Sequence, residues 1–204
     1  MAGDAAARPH RATLAERREA RATIEDPAEV LNAAARYLEA RPRSTSEVRR
    51  RLTSMGFRAP LVDQAVRRMT ELGYLDDEAF ARTWVASRDR ARPRGAHALR
   101  RELQLKGVDR QVIDGVLGER EADRADAPDA ADEGGAAGEA STADEVAAER
   151  LLGKKLSTLL RDPDPRKRLQ KAYGLLARNG FAPDVCSSVS RRVLASSTSD
   201  EASA

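Results

Sequence analysis

A chain of 204 residues, 34% charged, 41% apolar and only 3% aromatic, has room for one or two ordinary domains around a modest aliphatic core. Abundant Arg, Glu, Ala and Leu without β-branched runs argue against a sheet protein and predict an all-α fold. With a net charge of +3, no run near the ~20 apolar residues of a membrane span, no signal-peptide core and Cys186 as the lone cysteine, the expectation is a cytoplasmic protein with no membrane partner and no intramolecular disulfide.

Residues 1–26 hold few large apolar side chains and read as a disordered tail. Pro27 opens the first helix of a repeat spanning 27–75, with Val30, Leu31, Ala34, Tyr37 and Leu38 on its apolar side and Pro42 beyond its end. Ser44-x-x-Glu47 is a capping box for a second helix that stops at Gly56. Pro60 begins the third, with Leu61, Val62, Ala65, Val66 and Met69 inward. Repeat two, 76–118, opens on Asp76-Asp77-Glu78, acids that suit the positive end of a helix. Phe80, Trp84 and Val85 form its inner stripe, Pro93 and Gly95 break the chain, a helix carrying Leu99 and Leu103 stops at Gly107, and Asp109 caps the last. Residues 119–142 read as an acidic flexible linker. Repeat three, 143–195, begins after the Thr142/Glu145 cap, is interrupted by Pro163 and Pro165, passes Asn179-Gly180 and restarts at Pro183. Residues 196–204 read as a frayed tail.

One pattern recurs in the three repeats. Val48-x3-Leu52-x3-Gly56-Phe57 is followed by Leu61-Val62 and Ala65-Val66. Leu99-x3-Leu103-x3-Gly107-Val108 is followed by Val112-Ile113 and Val116-Leu117 in the same register, and Ala172-x3-Leu176-x3-Gly180-Phe181 by Val185-Cys186 and Val189. A period of about fifty residues predicts three tandem three-helix repeats in an elongated, curved array, an architecture that presents surface to a partner. All seven aromatic residues fall inside the repeats and are expected in the core.

The charge is partitioned. Residues 27–118 carry 18 basic and 12 acidic side chains and residues 146–195 carry 11 and 4, whereas residues 119–145 carry 2 and 10. Basic folded parts with an acidic spacer suggest a polyanionic or acidic partner. With Val48 at the centre of the apolar stripe and about 100° per residue, Arg49 lies on the flank and Arg50 points away. Arg100 and Arg101 repeat that placement relative to Leu99, and Lys167 and Lys171 lie outward in the third repeat. Arg88, Arg90, Arg92 and Arg94 extend a candidate basic strip for partner or DNA binding. Phosphate contacts there would give salt-sensitive binding without base readout, and carboxylates on a protein would fit it equally.

The residues offer little chemistry. His10 and His97 are isolated, Gly153-Lys154-Lys155 lacks the rest of a phosphate loop and is expected mid-helix, and Asp76-Asp77-Glu78 is explained by capping. No catalytic residue, metal site or cofactor is expected.

The segment Glu71-Leu-Gly-Tyr-Leu-Asp-Asp-Glu-Ala-Phe-Ala-Arg-Thr-Trp-Val, followed by Arg94-Gly and Leu99-Arg-Arg-Glu-Leu-Gln-Leu-Lys-Gly-Val, resembles the signature of the bacterial RecX regulatory family. Arg41-Pro-Arg-Ser, Glu47-Val-Arg-Arg-Arg-Leu and Gly56-Phe fit it too; the acidic insert departs from it. The resemblance implies a regulator that binds the RecA recombinase and its filament on single-stranded DNA and modulates, usually by inhibition, ATP hydrolysis and strand exchange. The residues add the expectation of no catalysis, and a monomer with single-stranded DNA as a further partner is expected. The alternative from the residues alone is a direct nucleic-acid-binding helical module.

Overall fold

The computed structural model describes residues 13–125 and 141–202, with side chains to residue 196. Residues 1–12, 126–140 and 203–204, including His10 and most of the expected linker, lie outside the described residues. The chain divides into two compact units, Met1–Asp76 and Asp77–Ala204.

The first unit holds α1 (Leu14–Ala22), α2 (Pro27–Glu39), α3 (Thr45–Met55) and α4 (Ala59–Glu71). Asp26 caps α2 by accepting from the Ala28 amide, and Ser44 and Glu47 close a reciprocal capping box on α3. The core is aliphatic: Val30 and Ala34 of α2, Val48 and Leu52 of α3, and Val62, Ala65, Val66 and Met69 of α4 pack with Phe57 and Leu75. Burial of a side chain such as Leu52 contributes about 2 kcal/mol. Helix α1 is a correction to the expected tail. It buries none of its own residues, but a capping box at Thr13 sets its start, and Arg21 reaches across to α3, donating to the Met55 carbonyl at 3.4 Å with its guanidinium 5.9 Å from the Phe57 ring centre.

The second unit holds α5 (Asp77–Ala91), α6 (Ala96–Lys106), α7 (Arg110–Ala125), α8 (Ala143–Gly153), α9 (Leu156–Leu160), α10 (Pro165–Arg178) and α11 (Pro183–Ala202). Helices α5 to α7 enclose Phe80, Ala81, Val85, Leu99, Leu103, Val108, Ile113 and Val116. Helices α8 to α11 enclose a second core around Leu152, Leu159, Leu176, Phe181, Cys186 and Val189. Three boundaries differ from expectation. Helix α7 runs past Gly118 to Ala125, because Glu119 pairs with Arg82 of α5 at 2.8 Å and Arg120 is buried among carboxylates. Helix α8 ends at Gly153 and the chain restarts as α9, so Gly153-Lys154-Lys155 is a helix end, not a mid-helix segment. Helix α11 continues to Ala202, beyond the expected end near residue 195.

The recurrent sequence pattern is a helix stop used three times. Gly56, Gly107 and Gly180 have φ of 103°, 78° and 81°. The amide after each reaches back to the leucine five residues earlier: Phe57 to Leu52 at 3.4 Å, Val108 to Leu103 at 3.2 Å and Phe181 to Leu176 at 3.4 Å. This is the Schellman arrangement, which satisfies a terminal carbonyl and returns the next apolar side chain to the core. Phe57, Val108 and Phe181 are accordingly buried. Gly73 repeats the stop after α4, where the Tyr74 amide donates to Met69 at 2.9 Å. There the turn sends Leu75 inward and leaves Tyr74 68% exposed, which corrects its expected place in the core; Tyr173 is likewise 38% exposed.

Candidate partner-binding surface

Burial of Val48 and Leu52 fixes the orientation of α3 and leaves Arg49, Arg50 and Arg51 exposed. Arg49 reaches Asp63 of α4 at 3.4 Å, with both side chains about half exposed, a pairing that leaves the cation available to a stronger partner. On α6, buried Leu99 and Leu103 turn Arg100 and Arg101 outward. Arg100 donates to Asp114 of α7 at 2.8 Å, whereas Arg101 is exposed with no side-chain partner among the described residues. On α10, Lys167 is exposed and Lys171 pairs with Asp162 at 2.7 Å.

Hydrogen bonds from Arg100 hold the Asp114 carboxyl below its ordinary range, and Lys171 does the same for Asp162. A carboxyl whose pKa is depressed on folding stabilises the fold above its unfolded pKa, and that contribution is lost as pH falls through the folded value. Stability of the second unit is therefore expected to be flat from neutral pH to about 5 and to fall below the ordinary aspartate value of 3.8. Urea titrations at stepped pH, followed by the single tryptophan, Trp84, check this; a decline starting near neutrality would contradict it.

The alternating arginines of the middle repeat divide into two sets. Arg88 and Arg90 lie in the last turn of α5 and Arg92 and Arg94 in the connection after it. Arg88 donates to Glu102 of α6 at 2.7 Å and its guanidinium sits 4.4 Å from the centre of the Trp84 ring. The Trp84 indole N–H donates to the same Glu102 oxygen at 2.8 Å. Arg94 lies 3.7 Å from the other Glu102 oxygen and donates to the Asn179 side chain at 2.6 Å. Glu102 thus neutralises two of the four cations, and Arg88 and Arg94 brace the fold. The side chains of Arg90 and Arg92 are exposed with no partner among the described residues.

Sequence reasoning missed the contacts that bring the second and third repeats together in one unit. Arg120, with its side chain 10% exposed, bonds Asp89 of α5 at 2.9 Å and Asp144 of α8 at 2.7 Å. Burial opposes its charge, yet the two carboxylates outweigh this and raise its pKa. Asp144 also accepts from the Ala96 amide at 3.0 Å, Glu121 accepts from Ala143 at 3.1 Å, and the Gly95 amide donates to the Asn179 carbonyl at 3.1 Å. Arg120 is one of two cations in the acidic stretch, which was the available signal. Among the described residues no group of three His, Cys, Asp or Glu side chains is placed to hold a metal ion, and no helix is long and apolar enough to cross a membrane.

Helical modules closed by one repeated turn, with cations on the outward side of the helix before each turn, define a helical-repeat protein. Residues 31–69 match the first three-helix domain of RecX and residues 76–117 the second. The regulatory protein RecX of Mycolicibacterium vanbaalenii is 35% identical over 151 residues, 72% of each chain. That of Streptomyces coelicolor is 29% identical over 184 residues, 90% of this chain and 87% of its own, an alignment that reaches beyond the first two repeats. The crystal structure of RecX from Lactobacillus salivarius superposes with a TM-score of 0.65 over 83% of this chain and 97% of its own; at 18% identity this likeness speaks for the fold. The chain belongs to the RecX family of regulatory proteins.

Proposed function

We propose that this protein binds a RecA-type recombinase and its filament on single-stranded DNA in the cytoplasm, and inhibits ATP hydrolysis and strand exchange in the service of DNA repair and recombination. It acts as a monomer, without catalysis or cofactor. The carrying observation is the pair of outward arginines at equivalent positions of two repeats, Arg49-Arg50 on α3 and Arg100-Arg101 on α6. Two cations at a fixed place in each module suit a partner that is itself repetitive and acidic, as a filament on DNA is. Within the second unit, Arg90, Lys167 and Lys171 add to the cations of α6, while Arg88 and Arg94 brace α5 and α6 from within. Regulation follows if the protein prefers one state of the filament, since binding shifts an equilibrium only by its differential affinity.

The test is single-stranded-DNA-dependent ATP hydrolysis by the cognate recombinase, titrated with this protein far below one per subunit. Inhibition at that ratio, unrelieved by excess DNA, is expected. Arg50→Glu with Arg101→Glu is expected to need at least about tenfold more protein for the same inhibition, since each reversed contact costs on the order of 1 kcal/mol. Inhibition that disappears as DNA is added would point instead to simple competition for the nucleic acid; undiminished inhibition by the double variant would remove these arginines from the contact.

A further inference from the structure

Two cationic motifs that lie sixty residues apart in the sequence meet in the second unit. The connection after α5, with Arg92 and Arg94, and the end of α8, with Lys154 and Lys155, face each other across a cleft of about 380 Å³ between the second and third repeats. No acidic residue lines it among the described residues. Arg92, Lys154 and Lys155 are exposed at its rim, and the side chains of Arg92 and Lys155 have no partner among the described residues. The Lys154 ammonium donates to the carbonyls of Arg90 and Ala91 at 3.3 and 3.2 Å. Those carbonyls end α5, where the helix dipole is negative, so Lys154 removes the local field that would repel an anion. Within the cleft lie buried Pro93 and half-buried Leu151 and Leu175.

We propose that this cleft holds one nucleotide unit of a single-stranded nucleic acid, with its base against Pro93, Leu151 and Leu175 and its flanking phosphates on Arg92 and Lys155. The two kinds of lining select that chemistry. A free phosphate would use the cations and leave the apolar wall wet. A duplex would present phosphates but keep its bases stacked inside. An unpaired nucleotide carries an exposed, largely apolar base face beside an anionic diester, and side-chain packing on a base is tolerant of sequence. The guanidinium of Arg92 matches the phosphate oxygens as a fork, and Lys155 matches them as a point charge. A carboxylate-rich peptide with aliphatic side chains is the competing occupant. The choice of nucleic acid rests on the functional reading above, but recombinase contact through α3 and α6 does not require this cleft.

The test omits the recombinase, so the two readings can fail separately. Binding of the full chain to a fluorescein-labelled oligothymidylate is followed by anisotropy at several salt concentrations. An abasic strand and a duplex of equal length, and polyglutamate as a competitor, complete the set. Arg92→Ala with Lys155→Ala is expected to weaken oligothymidylate binding about tenfold and to reduce the salt slope by about 1.4, from about 0.7 for each of two lost phosphate contacts on a single strand. Arg41→Ala with Arg67→Ala, an equal loss of charge on the first unit, is expected to change both much less. The wild type is expected to hold the abasic strand and the duplex several-fold more weakly than oligothymidylate. Equal loss in the control pair would mean diffuse attraction and overturn the site. Abasic binding equal to oligothymidylate would remove the base from the cleft. Displacement of the strand by polyglutamate at equal charge concentration, sensitive to Arg92 and Lys155, would assign the cleft to an acidic peptide. Circular dichroism melts establish that each variant is folded before binding is compared.

Discussion

Arg120→Ala is expected to destabilise the second unit by about 3 kcal/mol and to lower its melting temperature by roughly 10 °C. The cause is the environment of the guanidinium. Its side chain is 10% exposed, and the two carboxylates it bridges, on Asp89 and Asp144, are 24% and 14% exposed. Removing the cation strands two partly desolvated anions, and breaking such a cluster by taking one member costs more than the intact cluster contributes. The effect does not stay local. Asp144 accepts from the Ala96 amide at the start of α6, and Arg120 also reaches the Ala143 carbonyl at 3.3 Å, so one side chain links α5, α7 and the beginning of α8. The diagnostic comparison is the triple change Asp89→Asn, Arg120→Ala and Asp144→Asn, which lacks the arginine stem just as the single variant does. It removes every charge of the cluster, while the amide oxygen introduced by Asp144→Asn keeps an acceptor for the Ala96 N–H. That variant is expected to regain most of the loss under urea denaturation. If the triple variant is as unstable as the single one, the damage comes from lost packing of the arginine stem rather than from stranded charge.

The sequence pattern made the repeat legible because it is produced by local forces. A capping box, an apolar stripe of period 3.6, a left-handed glycine and an apolar residue after it each act within about ten residues, and each has its own residue preference. Hence the starts at Ser44 and Thr142 and the stops at Gly56, Gly107 and Gly180 coincide with the structure. Position beyond those stops was harder. Tyr74 and Leu75 are adjacent apolar residues after Gly73, and the rotation of the turn, which composition does not encode, puts Leu75 in the core and Tyr74 outside.

The outward face of α3 and α6 was legible for the same local reason, whereas the pairing state of each cation was not. A helical wheel places Arg100 outside but says nothing of Asp114 on the next helix, which meets it at 2.8 Å. It likewise cannot show that Arg88 and Arg94 share Glu102. The stretch counted as linker from residue 119 illustrates the limit most plainly. By composition it resembles a disordered acidic segment, but its first seven residues continue α7, because Arg82, Asp89 and Asp144 supply long-range partners for Glu119 and Arg120. Charge density alone does not decide between solvation and pairing; the three-dimensional neighbours do.

Gly95→Ala is expected to cost about 3 kcal/mol although the backbone at Gly95 is one that alanine adopts freely, with φ −72° and ψ 160°. The penalty lies across the repeat junction. An added Cβ would overlap the Gly180 carbonyl oxygen and stand 2.6 Å from the Phe181 Cα, both backbone atoms that no rotamer change can move aside. Relieving the clash means separating the start of α6 from the Asn179-Gly180 turn, which breaks the 3.1 Å bond from the Gly95 amide to the Asn179 carbonyl and strains the Arg94 contact with the Asn179 side chain. Gly73→Ala supplies the contrast. Gly73 has φ 75° but nothing within 4 Å of an added Cβ, so its substitution carries only the left-handed backbone cost of about 1 kcal/mol. Thermal melts of the two variants should therefore rank opposite to what backbone conformation alone predicts. Hydrogen exchange should locate the difference, with the Gly95 and Ala96 amides losing protection in Gly95→Ala while the Leu103 and Val108 amides inside the second repeat keep theirs. A Gly95→Ala protein as stable as Gly73→Ala, with those junction amides still protected, would mean that the two repeats tolerate a methyl between them and that their close approach is not what holds the second unit together.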